Sequence, residues 1–141
     1  MSNIPFTFDP RKKGLRKFLG ETEYPIMEVL WQGGEFSVRD ICTALQHKRE
    51  IAYTTVMTVM CRLFEKGLLW RRKEGKSYIY QAAVSREDLT RSIVGRVIGG
   101  LLSDFTAPAI SQFVDSVDQQ RPERMEELAR LIAEKRRKKD D

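Results

Sequence analysis

The chain has 141 residues and a mass of 16.4 kDa, with 41% hydrophobic and 32% charged side chains. That size allows one ordinary domain or two small ones, and the apolar share is too high for a disordered chain. No apolar run approaches the roughly 20 residues that cross a bilayer, and the start MSNIPFTFDPRKKGLRKF lacks a secretory leader's apolar stretch, so the sequence predicts a cytosolic protein without membrane insertion.

Twenty-five Lys plus Arg stand against 20 Asp plus Glu, a net charge of +5. Residues 1–84 hold 14 basic and 9 acidic side chains, whereas residues 85–141 hold 11 of each, so the whole excess lies in the first part. A basic part joined to a neutral one suggests a segment that meets a polyanion and another with a different task. Cys42, Cys61 and the single histidine, His47, lie outside any metal-ligand spacing, so neither a metal nor a cofactor is expected.

Residues 1–18 hold Pro5, Pro10 and the cluster Arg11, Lys12, Lys13, Arg16 and Lys17, and read as an unstructured basic arm, either a solvated terminus or a contact for phosphates. From Thr22 the period turns helical: Thr22 can cap, Pro25 falls in the first turn, and Ile26, Met27, Leu30 and Trp31 follow before Gly33 and Gly34 end the helix. Ser37 opens a short second helix, with Asp40 completing a partial capping box and Val38, Ile41, Cys42 and Leu45 on one face. A third helix is expected over 53–66, with Val56, Val59, Met60 and Leu63 as its buried stripe and Gly67 as its stop.

The period then becomes extended. Residues 69–73 and 76–81 read as two strands turning at Glu74 and Gly75. Three helices and a basic hairpin form the pattern of a winged helix-turn-helix, whose third helix enters the major groove. Beyond it Ser85 caps a helix carrying Leu89, Ile93, Val97 and Leu101, with Val94, Ile98 and Leu102 widening the apolar face; Gly99 and Gly100 are expected to interrupt it and 105–108 to break it. A helix over 107–117 carries Ile110, Phe113, Val114 and Val117, and a last one from Pro122 turns Met125, Leu128, Ala129 and Ile132 inward before the tail KRRKKDD. So few residues cannot cover such broad apolar faces alone, which predicts pairing with a second copy.

The expected fold is therefore mainly α: a basic arm over 1–18, a winged helix-turn-helix with a two-stranded wing over 19–82, and a three-helix dimerisation domain over 83–141. The outer face of the third helix carries Thr54, Thr55, Met57, Thr58, Cys61 and Arg62. Threonine can meet phosphates and thymine methyls, and arginine a guanine edge; equally, a Thr-rich surface can mean only a weak helix. Ser37 and Arg39 at the second helix's start and Arg71, Arg72, Lys73 and Lys76 on the hairpin add candidate phosphate contacts. Nucleophile elbows, zinc-protease helices and phosphate-binding loops are absent, and His47 is poorly placed to serve either cysteine, so a binder is expected instead of an enzyme.

The run AYTTVMTVMCRLFEKGLL, preceded by EYPIMEVLW and followed by GKSYIYQAAVSRED, closely resembles the BlaI/MecI/CopY family of bacterial transcriptional repressors over residues 19–132. The family's hallmark is a Y-[ST]-T-V-x-T-x-x-x-R-L recognition helix after an I-M-x-x-[LIV]-W helix. The resemblance implies a homodimeric repressor on palindromic operators of double-stranded DNA, controlling β-lactam-resistance or related stress genes. It assigns DNA contacts to Thr54, Thr55, Met57, Thr58, Cys61, Arg62, Arg71, Arg72 and Lys76, and a dimer core to Leu89, Ile93, Val97, Leu101, Ile110, Phe113, Val114, Leu128 and Ile132. It also implies release by a membrane sensor-protease cutting an Asn-Phe bond, at whose place stand Gln112 and Phe113, the latter reading equally as a dimer-core aromatic. Residues 85–141 contain no cysteine, which excludes the copper-sensing branch's C-x-C route. The alternatives are a winged-helix module docking on a protein, or a family repressor with another target and inducer.

Overall fold

A computed structural model describes residues 6–141; Pro5, part of the expected arm, lies outside the described residues. Two compact units divide at Ile93, and the second is Val94–Asp141. In the first, α1 (Glu23–Leu30), α2 (Val38–Leu45) and α3 (Tyr53–Glu65) precede the antiparallel strands β1 (Leu69–Glu74) and β2 (Ser77–Ala82) and the start of α4 (Arg86–Asp104).

The apolar spacings explain the packing. Ile26, Met27 and Leu30 of α1, Ile41 and Leu45 of α2, and Val56, Val59, Met60 and Leu63 of α3 are all buried, each stripe facing a common core with Leu68, Leu69, Tyr80 and Val84. Each aliphatic side chain so buried contributes about 1.5–3 kcal/mol relative to exposure. The α2 start is a reciprocal capping box: Asp40 N–H donates to Ser37 Oγ at 3.1 Å and Ser37 N–H to the Asp40 carboxylate at 2.9 Å. Thr22 makes no such cap; Gly20 N–H, two residues before it, donates instead to the Glu23 carboxylate at 2.8 Å. Glu23 also holds Lys66 at 2.6 Å, joining the start of α1 to the end of α3.

The hairpin register pairs Glu74 with Ser77, so the connection is Gly75-Lys76 and not Glu74-Gly75. Gly75 has φ 63°, a left-handed value at the first loop position that glycine adopts without penalty. Lys76 therefore sits at the wing tip and not in a strand. Phe36 and Tyr80 exchange backbone hydrogen bonds of 2.8 Å each way, so the loop before α2 clamps β2 along its other edge, a contact the sequence pattern did not suggest.

The segment expected to be an unstructured arm is folded where described. Gly14–Lys17 forms a 3-10 turn, Leu15 and Leu19 are buried, Asp9 N–H donates to Lys17 O at 2.8 Å, and Phe8 stacks on Phe18. Leu15, Phe18 and Leu19 carry the apolar surface that ties the basic residues down.

Ser85 caps α4, accepting from Asp88 N–H at 3.0 Å. The helix runs unbroken through Gly99 and Gly100, contrary to the expected interruption: glycine lowers helix propensity by about 1 kcal/mol but leaves its own N–H in the ladder. The break falls at Phe105, and α5 (Thr106–Gln120) takes Pro108 into its first turn, where the missing donor costs nothing. A 3-10 turn at Pro122–Arg124 leads to α6 (Met125–Asp140), which extends through the KRRKK run. Neither α5 nor α6 has a single buried residue.

Candidate nucleic-acid interface

The buried stripe of α3 forces its other side outward. Thr54, Thr55, Met57, Thr58 and Arg62 are all exposed on that side. The N-terminus of α3 has no side-chain cap, so its first N–H groups stay open to an acceptor. Thr58 Oγ1 donates to Thr54 O at 2.9 Å, which leaves its oxygen only as an acceptor for any further partner. Thr54, Thr55, Thr58 and Arg62 line a concavity of about 540 Å³ with Gly20, Glu21 and Lys66. No carboxylate among the described residues is paired with Arg62.

Four expected contacts are placed differently from the simple reading. Cys61 is half-buried, its Sγ 3.7 Å from the Tyr80 hydroxyl and 3.9 Å from the Arg71 guanidinium, so the thiol faces the wing. Arg71 is clamped between rings, 3.9 Å over Phe64 and 4.0 Å over Tyr78, and donates to the Tyr80 hydroxyl at 3.4 Å. It fastens the hairpin to α3, an aromatic sandwich the sequence hid because Phe64 and Tyr78 are far apart in it. Arg72 is held by Glu35 at 2.7 Å and Glu74 at 2.9 Å, so a phosphate must displace a carboxylate to reach it. Ser37, finally, has its side chain and its N–H committed to the Asp40 box, leaving the N–H groups of Val38 and Arg39 as the α2 donors.

The remaining cations, Arg39, Lys73 and Lys76, are exposed. Burial pushes the Tyr80 phenol above its ordinary range, opposed by the Arg71 hydrogen bond, and burial likewise pushes the Cys42 thiol up. His47 is exposed, and the described residues contain no group of three or more ligands suited to a metal. No described helix is long and apolar enough to cross a membrane.

Of the residues expected in a dimer core, Leu89 and Ile93 are already 0% and 1% exposed inside the first unit. They cannot contribute further burial to an interface. Val97 and Leu128 are half-buried, whereas Leu101, Ile110, Phe113, Val114 and Ile132 are exposed in the single chain, joined by Val94, Ile98, Leu102, Phe105 and Leu131. Leu131 was legible, since it follows Leu128 at helical spacing; Phe105 was not, because it stands at a break where periodicity has no meaning. Gln112 and Phe113 lie in the middle of α5.

The family model described as penicillinase repressor matches residues 19–134. The transcriptional regulator BlaI of Mycobacterium tuberculosis (strain CDC 1551 / Oshkosh) is 35% identical over 92 residues, 64% of this chain and 61% of that protein, so the chain spans less than two thirds of that relative's length. The penicillinase repressor of Bacillus licheniformis is 25% identical over 127 residues, covering 86% of this chain and 95% of that one. The solution structure of the DNA binding domain of the repressor BlaI superposes with a TM-score of 0.45 at 25% identity, over 55% of this chain and 92% of the other. With its winged helix-turn-helix unit, its C-terminal helices and a match that runs over residues 19–134, the chain belongs to the penicillinase repressor family.

Proposed function

We propose that the protein is a DNA-binding transcriptional repressor that acts in the cytoplasm as a homodimer, laying α3 of each protomer in successive major grooves of a palindromic operator. The observation that carries this reading is the exposed row of Thr54, Thr55, Thr58 and Arg62 on a helix whose opposite side is locked in the core, beside a wing tipped by Lys73 and Lys76. Small hydroxyls and an unpaired guanidinium suit phosphates and base edges, while the box at Ser37 and the clamp at Arg71 hold α2 and the wing rigid around α3. A two-fold protein would match a two-fold operator.

Support for the homodimer comes from the second unit, whose apolar side chains have no cover in one chain: Phe113 is 50% exposed, Ile110 55% and Ile132 49%. Patches of that kind mark association surfaces. Family membership favours β-lactam-resistance or related stress genes as targets, and release through a membrane sensor-protease cutting within the second unit. If Gln112–Phe113 is the bond, α5 must first open locally, since proteolysis acts on unwound chain. Footprinting on the DNA upstream of the protein's own gene, followed by titration at two salt concentrations, tests the core of the proposal. A protected two-fold site whose affinity falls steeply with salt is expected; salt-independent binding to a protein, with no protected DNA, would overturn it.

A further inference from the structure

The basic residues that precede the family match are held in place, and the concavity they rim borders the one that holds the exposed side of α3. The match begins at residue 19. Just before it, Lys17 Nζ donates to Pro10 O at 3.0 Å and to Lys12 O, Asp9 pairs with Arg11 at 3.0 Å, and the buried Leu15 and Leu19 anchor the turn. The Arg11 hydrogen bonds hold the Asp9 carboxyl below its usual range, so that acid is spent within the turn. Lys12, Lys13 and Arg16 are thereby set along one wall of a concavity of about 620 Å³, and Lys48 and Arg49, from the link between α2 and α3, line it as well.

Five cations face two carboxylates there, Glu21 and Glu28. Among the described residues Glu28 reaches Lys48 alone, at 3.8 Å, and Arg49 bonds the backbone oxygen of Glu21 at 3.5 Å, not its carboxylate. Gly20 and Glu21 also line the concavity that holds Thr54, Thr55, Thr58 and Arg62, so the basic concavity and the reading face share a border. We infer that this N-terminal turn and the α2–α3 link form a second phosphate platform, which grips the sugar-phosphate backbone of duplex DNA flanking the bases read by α3. The inference rests on the proposed DNA binding and adds a footprint that the family-matched residues alone do not supply. An ordered platform meets the backbone without the ordering cost that a disordered arm carries.

The test compares the full chain with Lys12→Ala/Lys13→Ala and with Lys48→Ala/Arg49→Ala, on the upstream segment recovered by footprinting. Each duplex is made in two lengths, one trimmed to the two-fold bases read by α3 at the centre of the protected segment and one carrying about ten further base pairs on each side, a full turn of helix. On the long duplex each double variant should flatten the salt slope by about 2 per bound protomer and weaken binding about tenfold. On the trimmed duplex the variants and the parent should converge. Equal slopes and affinities on the long duplex, with the parent still binding tightly, would overturn the platform and leave the repressor reading intact. A parent that protects no upstream segment in the footprint would overturn both. Circular dichroism of the variants reports whether the turn and helices persist, and two independent pairs guard against one substitution unfolding the chain.

Discussion

Arg62 and Arg71 sit nine residues apart, yet the fold gives them different surroundings. Arg71 is stacked between Phe64 and Tyr78, while Arg62 is exposed on α3. Arg62→Ala should therefore cost about 1–3 kcal/mol of operator binding with the thermal midpoint unchanged; a gel-shift titration with parental affinity would contradict this. Tyr80 offers a separate check. Its buried phenol has a raised pKa, so the folded chain favours the neutral form. That contribution is complete below the ordinary phenol value of about 10 and fades as pH climbs through the raised folded one. The parent should lose thermal stability above about pH 10 more steeply than Tyr80→Phe, which has no proton to release. Matching pH profiles would show that Tyr80 ionises as freely in the fold as out of it.

Among the elements, α2 depends most on a single terminus. It has eight residues, too few to be helical alone, and the Ser37 and Asp40 N–H groups at its start are met by the Ser37–Asp40 box. Ser37→Ala should lower unfolding free energy by about 1 kcal/mol, measured by denaturant titration. A loss below a few tenths would mean that burial of Val38, Ile41 and Leu45 holds the helix without its cap. The wing shows the converse dependence on distant partners: Phe36 pairs with β2 and Phe64 of α3 stacks on Arg71 of β1, so the hairpin is oriented by contacts outside its own sequence.

For the whole molecule, the contrast between units decides the expected behaviour. The first has a core of its own, whereas the second leaves Phe113, Ile110, Leu131 and Ile132 about half exposed. Phe113→Asp should give monomers by light scattering and, because two linked half-sites become one, much weaker operator binding. The first unit should keep its helical signal in that variant. A persistent dimer would show that association runs through other residues. Leu89 and Ile93 mark why the division falls inside α4: the same helix face is covered at one end and open at the other.

Sequence by itself determined the three helices and the hairpin, the buried stripe of α3, the cap at Ser37 and the exposed Thr/Arg row, because each depends on spacing within one element. The family motif lies in that same local stretch, so it was legible too. Only the tertiary structure decided which cations are available. Glu35 reaches Arg72 across 37 positions, and Phe64 and Tyr78 enclose Arg71. It also folded the basic segment before α1, where three short apolar anchors carry no period to read. Likewise Leu89, Ile93 and Leu101 share one apolar spacing, but only packing separates the first two, sunk in their own chain's core, from the third, left open. Periodicity names the face a helix must bury; which surface buries it is a matter of contacts between elements distant in the chain.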